Sequence, residues 1–122
     1  MKASELMIGN WVIVYEKAMP VKARVEGVFG RGAMVLGHVR SADHGFMEPI
    51  PLTPEILEKN GFECRGAWCL PGEDFGLRQD GDSWGLLSYY AEYDALAFCH
   101  IKYVHELQNA LSLCEIEKEI TI

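Results

Sequence analysis

The feature that most constrains the fold of this chain is a series of short β-branched and aromatic runs separated by turn residues. Residues 11–15 follow the turn pair Gly9-Asn10 and have the composition of a buried strand. From residue 21 to 26 apolar and charged side chains alternate, which is the period of a strand with one exposed face. After the glycines at 30 and 32, residues 33–39 predict a third strand. Three strands with short links predict an antiparallel meander.

A short helix is predicted in the middle of the chain, after an extended segment at 49–51 that is a loop or a sheet edge. Thr53-Pro54 supplies an N-cap hydroxyl and a proline at the first helical position, and Asn60-Gly61 supplies a left-handed stop. We therefore expect a helix of about two turns over residues 54–60.

The second half predicts further strands and a second helix. Residues 62–70 alternate as one strand, Asp80-Gly81 is a hairpin signal, and residues 95–101 form another strand. The terminal residues 119–122 alternate and could add as a last strand.

Apolar residues at helical spacing then predict a helix over Val104–Leu113, with His105, Glu106 and Asn109 facing outward. Within it we expect Gln108 or Asn109 to satisfy a neighbouring backbone group.

Length and apolar content indicate one domain spanning residues 1–122. A chain of 122 residues with 49% hydrophobic side chains can bury a core without metal or disulfide staples. The expected fold is α+β and mainly antiparallel: a strongly bent sheet or a partly open small β-barrel with two short helices. The opening segment is expected to pack Leu6 and Ile8 under that sheet.

Charge is unevenly distributed. The net charge is −7, yet residues 1–40 hold six cations and three acids while residues 41–122 hold five cations and fifteen acids. The cations Lys22, Arg24 and Arg31 could form a basic hairpin, but phosphate binding needs clustered cations and these are scattered. We expect no nucleic-acid partner.

The start of the chain lacks the apolar core of a secretory signal, and no run approaches the length of a membrane span. We therefore expect a cytoplasmic protein with no membrane association. In a reducing compartment the four cysteines are expected to be small hydrophobes.

Motifs for chemistry are absent from the sequence. The spacing of Cys99, His100 and His105 fits no zinc module, and the loop from Asp80 lacks the later oxygen ligands of a calcium loop. There is no nucleophile elbow and no phosphate-cradling glycine loop. We expect no metal, no cofactor and no catalytic residues; an enzymatic activity is left open, with the balance against one.

Four blocks of the sequence together resemble a family of small uncharacterised proteins of Bacteroidetes and of their phages and mobile elements. The blocks are residues 5–12, residues 50–53 followed by Gly61-Phe62, residues 103–109 and residues 119–122. The resemblance implies a phage or mobile-element background, and it implies no activity because none is established for the family.

The aromatic residues point to an interaction surface. A ring left on the outer face of a sheet is a strong anchor for a partner, and we name Tyr89, Tyr90, Tyr93, His105 and Asn109 as candidate surface residues. The sequence thus favours a non-catalytic accessory or protein-interaction domain that binds a protein partner or itself. The alternative is a small ligand-binding or hydrolytic domain with a polar site near His105.

Overall fold

Two antiparallel β-sheets and two α-helices form the part of the protein described by a computed structural model, residues 1–41, 47–73, 75–88 and 96–122. By its contacts the chain divides into two compact units. One sheet is strongly curled into a half-barrel, so the predicted α+β class with a bent antiparallel sheet is confirmed. The single domain stays a prediction. Unit 1 is Met1–Pro51 with Tyr103–Lys118, and unit 2 is Leu52–Lys102 with Glu119–Ile122.

Sheet 1 lies in unit 1 and has the strand order β4-β3-β2-β1-β5. Strands β1 to β4 form an antiparallel meander, as predicted, but with four strands where three were expected, and β5 lies at the predicted edge beside β1. A 3₁₀ turn at Ala3–Glu5 precedes them. The strands are β1 (Trp11–Glu16), β2 (Met19–Phe29), β3 (Gly32–Val35), β4 (His38–Ser41) and β5 (Met47–Pro49).

The prediction of a single strand over residues 33–39 is wrong, because the chain reverses in its middle. Leu36 and Gly37 have φ values of 53° and 77°, and Val35 pairs directly with His38. Two successive left-handed residues are the geometry of a tight two-residue hairpin turn. Gly37 adopts it easily, but nothing marks Leu36 as a turn residue, so the sequence pattern concealed the hairpin.

The inner face of sheet 1 carries the core of unit 1. Side chains at alternate positions are almost fully buried, as the period of a strand requires. Leu6 packs with them as predicted. The prediction for Ile8 is wrong, because its side chain is largely exposed. The inner-face residues are Val12, Val14, Ala23, Val25, Ala33, Val35 and Met47.

An ion pair between Arg40 and Glu16 joins β4 to β1 on this inner face. The two strands are separated by β3 and β2, which in a flat sheet would place them about 14 Å apart. A direct contact over that span fits a sheet that bends toward its core.

Sheet 2 and the first helix lie in unit 2, where the strand order is β10-β9-β8-β7-β6. The hairpin at Asp80-Gly81 is confirmed, as are the strand ending at Ile101 and both predicted helices. Thr53 caps α1 by accepting a hydrogen bond from the backbone N of Ile56. The elements are α1 (Pro54–Lys59), β6 (Glu63–Arg65), β7 (Ala67–Cys69), β8 (Phe75–Asp80), β9 (Ser83–Ser88), β10 (Leu96–Ile101) and, in unit 1, α2 (Val104–Leu113).

The prediction of one strand over residues 62–70 is wrong for the same reason as in unit 1. The chain turns at Gly66, which has a φ of 82°, and Arg65 pairs with Ala67. A single glycine in a strand pattern thus marked a reversal.

The predicted terminal strand is also wrong, since residues 119–122 form no regular structure. Ile120 is nevertheless buried. The side chain of Asn60 takes the place of a strand partner: its Nδ2 donates to the carbonyl of Thr121 at 2.7 Å, and its Oδ1 accepts from the backbone N of Thr121 at 2.8 Å.

We expect Ala18→Gly to stabilise the protein by about 0.5–1 kcal/mol. Lys17 and Ala18 have φ values of 50° and 63° and form the turn between β1 and β2. A left-handed backbone costs a non-glycine residue about 1–2 kcal/mol, and glycine removes this cost. The gain is smaller than that, because glycine also has more conformational freedom to lose when the chain folds. Urea unfolding measures the change. Ala18→Val is the control, and equal stability of both variants would contradict the turn geometry.

Candidate functional site

Gln108 on α2 holds the start of β1 with both ends of its amide. Its Oε1 accepts from the backbone N of Trp11 at 2.8 Å, and its Nε2 donates to the carbonyl of Gly9 at 3.0 Å. Strand β5 pairs with Val12 but does not extend to Trp11. The side chain therefore replaces a strand residue at the point where the ladder ends.

Asn109 continues this cluster toward the amino terminus. Its Oδ1 accepts from Asn10 Nδ2 at 2.8 Å, and its Nδ2 donates to the carbonyl of Glu5 at 2.8 Å. Asn10 is buried, and its own Oδ1 accepts from the backbone N of Met7. The prediction that Gln108 or Asn109 satisfies neighbouring backbone is confirmed. Asn109 keeps its place among the candidate surface residues as a half-buried group whose amide is already occupied.

His105 does not face outward as predicted, because its side chain is only 1% exposed. Its ring stacks on that of Tyr103, with centroids 5.8 Å apart and planes 9° apart. Neither ring nitrogen has a hydrogen-bond partner in the described part of the chain, and Nε2 lies 4.0 Å from a carboxylate oxygen of Glu5. The amphipathic pattern therefore misassigned the face of α2 on which His105 lies.

Burial lowers the pKa of His105 from its ordinary value of 6.5, because a charged imidazolium loses its hydration inside the protein. The carboxylates of Glu106 and Glu5 oppose this shift, and the amino-terminal ammonium of Met1 adds to it. Glu106 is also structural, since its Oε1 accepts from the backbone N of Tyr103 at the start of α2.

This polar cluster serves packing more readily than chemistry. His105 is almost fully buried, and the amides of Gln108 and Asn109 are bonded to backbone groups and to the side chain of Asn10. The described residues contain no group of three or more histidine, cysteine, aspartate or glutamate side chains placed to hold a metal ion. Of the cysteines, Cys64 and Cys114 are exposed, so the expectation that all are small hydrophobes of the core is wrong for these two.

A second surface is formed by apolar side chains on the outer face of sheet 1. We call Phe29, Met34, Leu36 and Val39 the outer apolar patch. Met34 pairs with Val39 across β3 and β4, and Phe29 lies on the neighbouring strand β2. Phe29 is 54%, Val39 63% and Leu36 44% exposed, and Leu36 lies in the hairpin turn between β3 and β4.

Two glycines make room for this patch. A Cβ at Gly27 would lie 3.0 Å from the Phe29 ring, so the ring lies across the bare backbone at that position. A Cβ at Gly32 would lie 3.7 Å from a methyl of Val39 and only 2.5 Å from the carbonyl oxygen of Arg40. Because Gly27 has no side chain, the ring of Phe29 can lie over the backbone of its own strand. Because Gly32 has none, β4 can approach β3 closely.

Sequence reasoning missed the outer apolar patch. Residues Ala33-Met34-Val35-Leu36, in β3 and the following turn, are all apolar. Polar and apolar residues therefore do not alternate, and the sequence cannot show which face of the strand is buried. The signal available in the sequence was the pair Gly27 and Gly32. A glycine in a strand marks a position where an aromatic ring or a neighbouring backbone can lie close to the strand.

The three cations predicted to form a basic hairpin do not form a cluster. Lys22 and Arg24 lie on β2, where Arg24 stacks over Trp11 at 4.7 Å. Arg31 lies in the turn after β2, about 20 Å along the strand from Arg24. The expectation that nucleic acid is not a partner stays a prediction.

Arg31 lines a shallow basin of about 280 Å³ together with Lys2, Ala3, Ser4 and Gly30. All of these except Ala3 are exposed. The basin contains no buried polar group that could select a ligand.

The candidate residues Tyr89, Tyr90 and Tyr93 lie outside the described residues. No described helix is long and apolar enough to cross a membrane. Comparison with known proteins found no matching family model, no matching curated protein and no matching solved structure. The resemblance to small proteins of Bacteroidetes and their phages therefore stays an expectation from sequence.

We expect Gln108→Ala to lower the free energy of unfolding by about 1–3 kcal/mol, because it removes two part-buried hydrogen bonds, one to the backbone N of Trp11 and one to the carbonyl of Gly9. Chemical denaturation followed by tryptophan fluorescence measures the loss. Ser112→Ala, an exposed position on the same helix, is the control. A loss no larger than that of the control would show that the amide does not hold β1.

We expect the stability of the protein to fall as the pH drops below 6.5. The folded-state pKa of His105 is depressed, so its contribution is fully present above 6.5. Below that pH the unfolded chain takes up a proton that the folded chain does not, and the free energy of unfolding decreases.

Urea titrations between pH 5 and pH 8 test this for the wild type and for His105→Leu, which should show a shallower decrease. His100→Gln, which replaces an exposed histidine, should retain the wild-type profile. Parallel profiles for wild type and His105→Leu would contradict the assignment to His105.

Proposed function

We propose that the protein is a non-catalytic protein-interaction domain that binds its partner through the outer apolar patch. The observation that carries this proposal is the contiguity of the patch: Phe29, Met34 and Val39 occupy neighbouring positions on three adjacent strands. Isolated exposed apolar residues are normal on a protein surface, whereas contiguous ones are typical of a binding surface.

The distribution of exposed apolar groups supports the same proposal. Every large hydrophobic residue that is exposed among the described residues belongs to unit 1. Unit 2 instead carries four cations and ten acids, a net charge of −6, whereas unit 1 carries seven cations and eight acids, a net charge of −1. Unit 1 is apolar and weakly charged whereas unit 2 is strongly acidic, which favours unit 1 as the binding half because desolvating charge opposes association.

The alternative of a ligand-binding or hydrolytic site near His105 has weaker support. Its central histidine is buried against Tyr103, and the amides of Gln108 and Asn109 are bound to backbone or to Asn10. A substrate would have to displace these contacts before reaching the ring. A phage or mobile-element role for the interaction domain rests on the sequence resemblance alone.

We expect a photo-crosslinking residue in place of Phe29 to form one discrete adduct in a lysate of the source organism, identified by mass spectrometry. Excess unlabelled wild-type protein should suppress it, because both compete for the same site. The matched control is the same crosslinker at Leu113, an apolar residue of unit 1 that is 82% exposed and lies on α2. If both positions give the same set of adducts, or position 29 gives none, the patch is not a binding surface.

A further inference from the structure

We propose that the partner bound at the outer apolar patch is a second copy of this chain, with β4 of one copy pairing antiparallel to β4 of the other. This inference rests on the proposed interaction function and adds the identity of the partner. It follows from the edge of sheet 1, from the side chains at that edge and from the charge of unit 1.

Strand β4 is a terminal strand of sheet 1, and no described strand lies beyond it. The two-residue hairpin makes Val35 and His38 a hydrogen-bonded pair, so the backbone groups of His38 and Arg40 point toward β3. The N–H and C=O of Val39 therefore point to the open edge. They are the donor and acceptor that an added strand would use.

Within the residues that the structure describes, the other edge of sheet 1 is protected against such pairing and the β4 edge is not. Strand β5 is three residues long and carries Glu48 and Pro49, and charged residues and prolines are the usual means of blocking an edge. On β4 the only strong cation, Arg40, is turned inward to Glu16. The side chain that accompanies the open backbone groups is the exposed Val39.

Charge favours a second copy as the occupant. The members of the outer apolar patch are uncharged, and unit 1 as a whole has a net charge of −1. Two copies can approach through this unit with little short-range repulsion, although each chain carries −7 in total. Repulsion between the more distant acids is screened over about 8 Å at physiological salt.

A two-fold axis at Val39 makes the contact self-complementary. It sets Val39 opposite the same residue of the second copy, so the two valines exchange both backbone hydrogen bonds while their side chains meet on the outer face. The axis continues the apolar surface of Phe29 and Met34 across the contact. Since the contact uses the open β4 edge of both copies, the assembly closes as a dimer and does not grow into a fibre.

The first test is sedimentation velocity over a range of micromolar concentrations. Wild type should shift from 13.7 kDa toward twice that mass, and Val39→Lys should weaken the association at least tenfold by placing two like charges opposite each other. Met19→Lys is the matched control. Met19 is an apolar residue of the same unit that is 66% exposed, but it is the first residue of β2 and does not lie on β4. It should associate as the wild type does.

The second test distinguishes direct pairing from a general loss of apolar surface. Val39→Lys and Val39→Glu should each be monomeric, and an equimolar mixture of the two should form a mixed dimer because lysine then faces glutamate. Circular dichroism and melting curves of each variant show whether it folds. Folded variants whose mixture stays monomeric would overturn the β4 pairing.

Salt dependence and the crosslinking experiment separate this inference from the proposed function. Added salt should strengthen dimerisation, since it screens the mutual repulsion of two acidic chains, whereas binding to nucleic acid would weaken with salt. A wild type that stays monomeric while the crosslinker at position 29 captures a different protein would overturn the dimer and retain the interaction function. A monomer that captures nothing would overturn both.

Discussion

The hydrogen bonds between Gln108 and the start of β1 are the constraint on which unit 1 depends. Sheet 1 ends abruptly at this point, because β5 pairs with only the middle of β1. Without Gln108, the backbone N of Trp11 and the carbonyl of Gly9 would lose these hydrogen bonds at a part-buried position. A single amide offers one acceptor and one donor, so it satisfies both groups and at the same time fixes α2 on the edge of the sheet.

This arrangement has consequences for both faces of the sheet. The alternating valines and alanines of the inner face form one buried cluster with Ala3 and Leu6 of the amino-terminal segment. The same alternation leaves the other face without a covering element among the described residues. Where that face bears Phe29, Met34 and Val39 beside two glycines, it is apolar and closely packed. The outer apolar patch is therefore a by-product of the way the sheet is covered on one side.

Much of the secondary structure could be predicted from local signals. The N-cap and proline at Thr53-Pro54, the Asp80-Gly81 turn and the spacing of Val104, Leu107 and Leu111 each have a direct local cause, and each appears where expected. The errors arose where the backbone reversed without a distinctive turn pair. Leu36 and the isolated Gly66 sit inside apolar or alternating runs, and only the pairing of the flanking strands shows that the chain turns there.

The candidate site was harder to predict because it depends on long-range contacts. Which of two apolar faces is buried, and which way His105 points, is decided by residues nearly a hundred positions away. A helical pattern can identify the apolar side of α2, but it cannot show that a histidine lies within that side. The roles of Gln108 and Asn109 were predictable in kind, whereas their partners Trp11, Gly9, Asn10 and Glu5 were not.

Neither unit is a continuous stretch of chain, because unit 1 is interrupted by residues 52–102 and unit 2 is completed by residues 119–122. Residues 1–51 of unit 1 are separated in sequence by the intervening residues 52–102 from the helix that fixes them, and unit 2 takes the buried side chain of Ile120 from a segment that follows that helix. Closing loops of this length slows folding. Each unit therefore completes its core only when segments from well-separated parts of the sequence have come together, so neither unit can fold as one contiguous fragment.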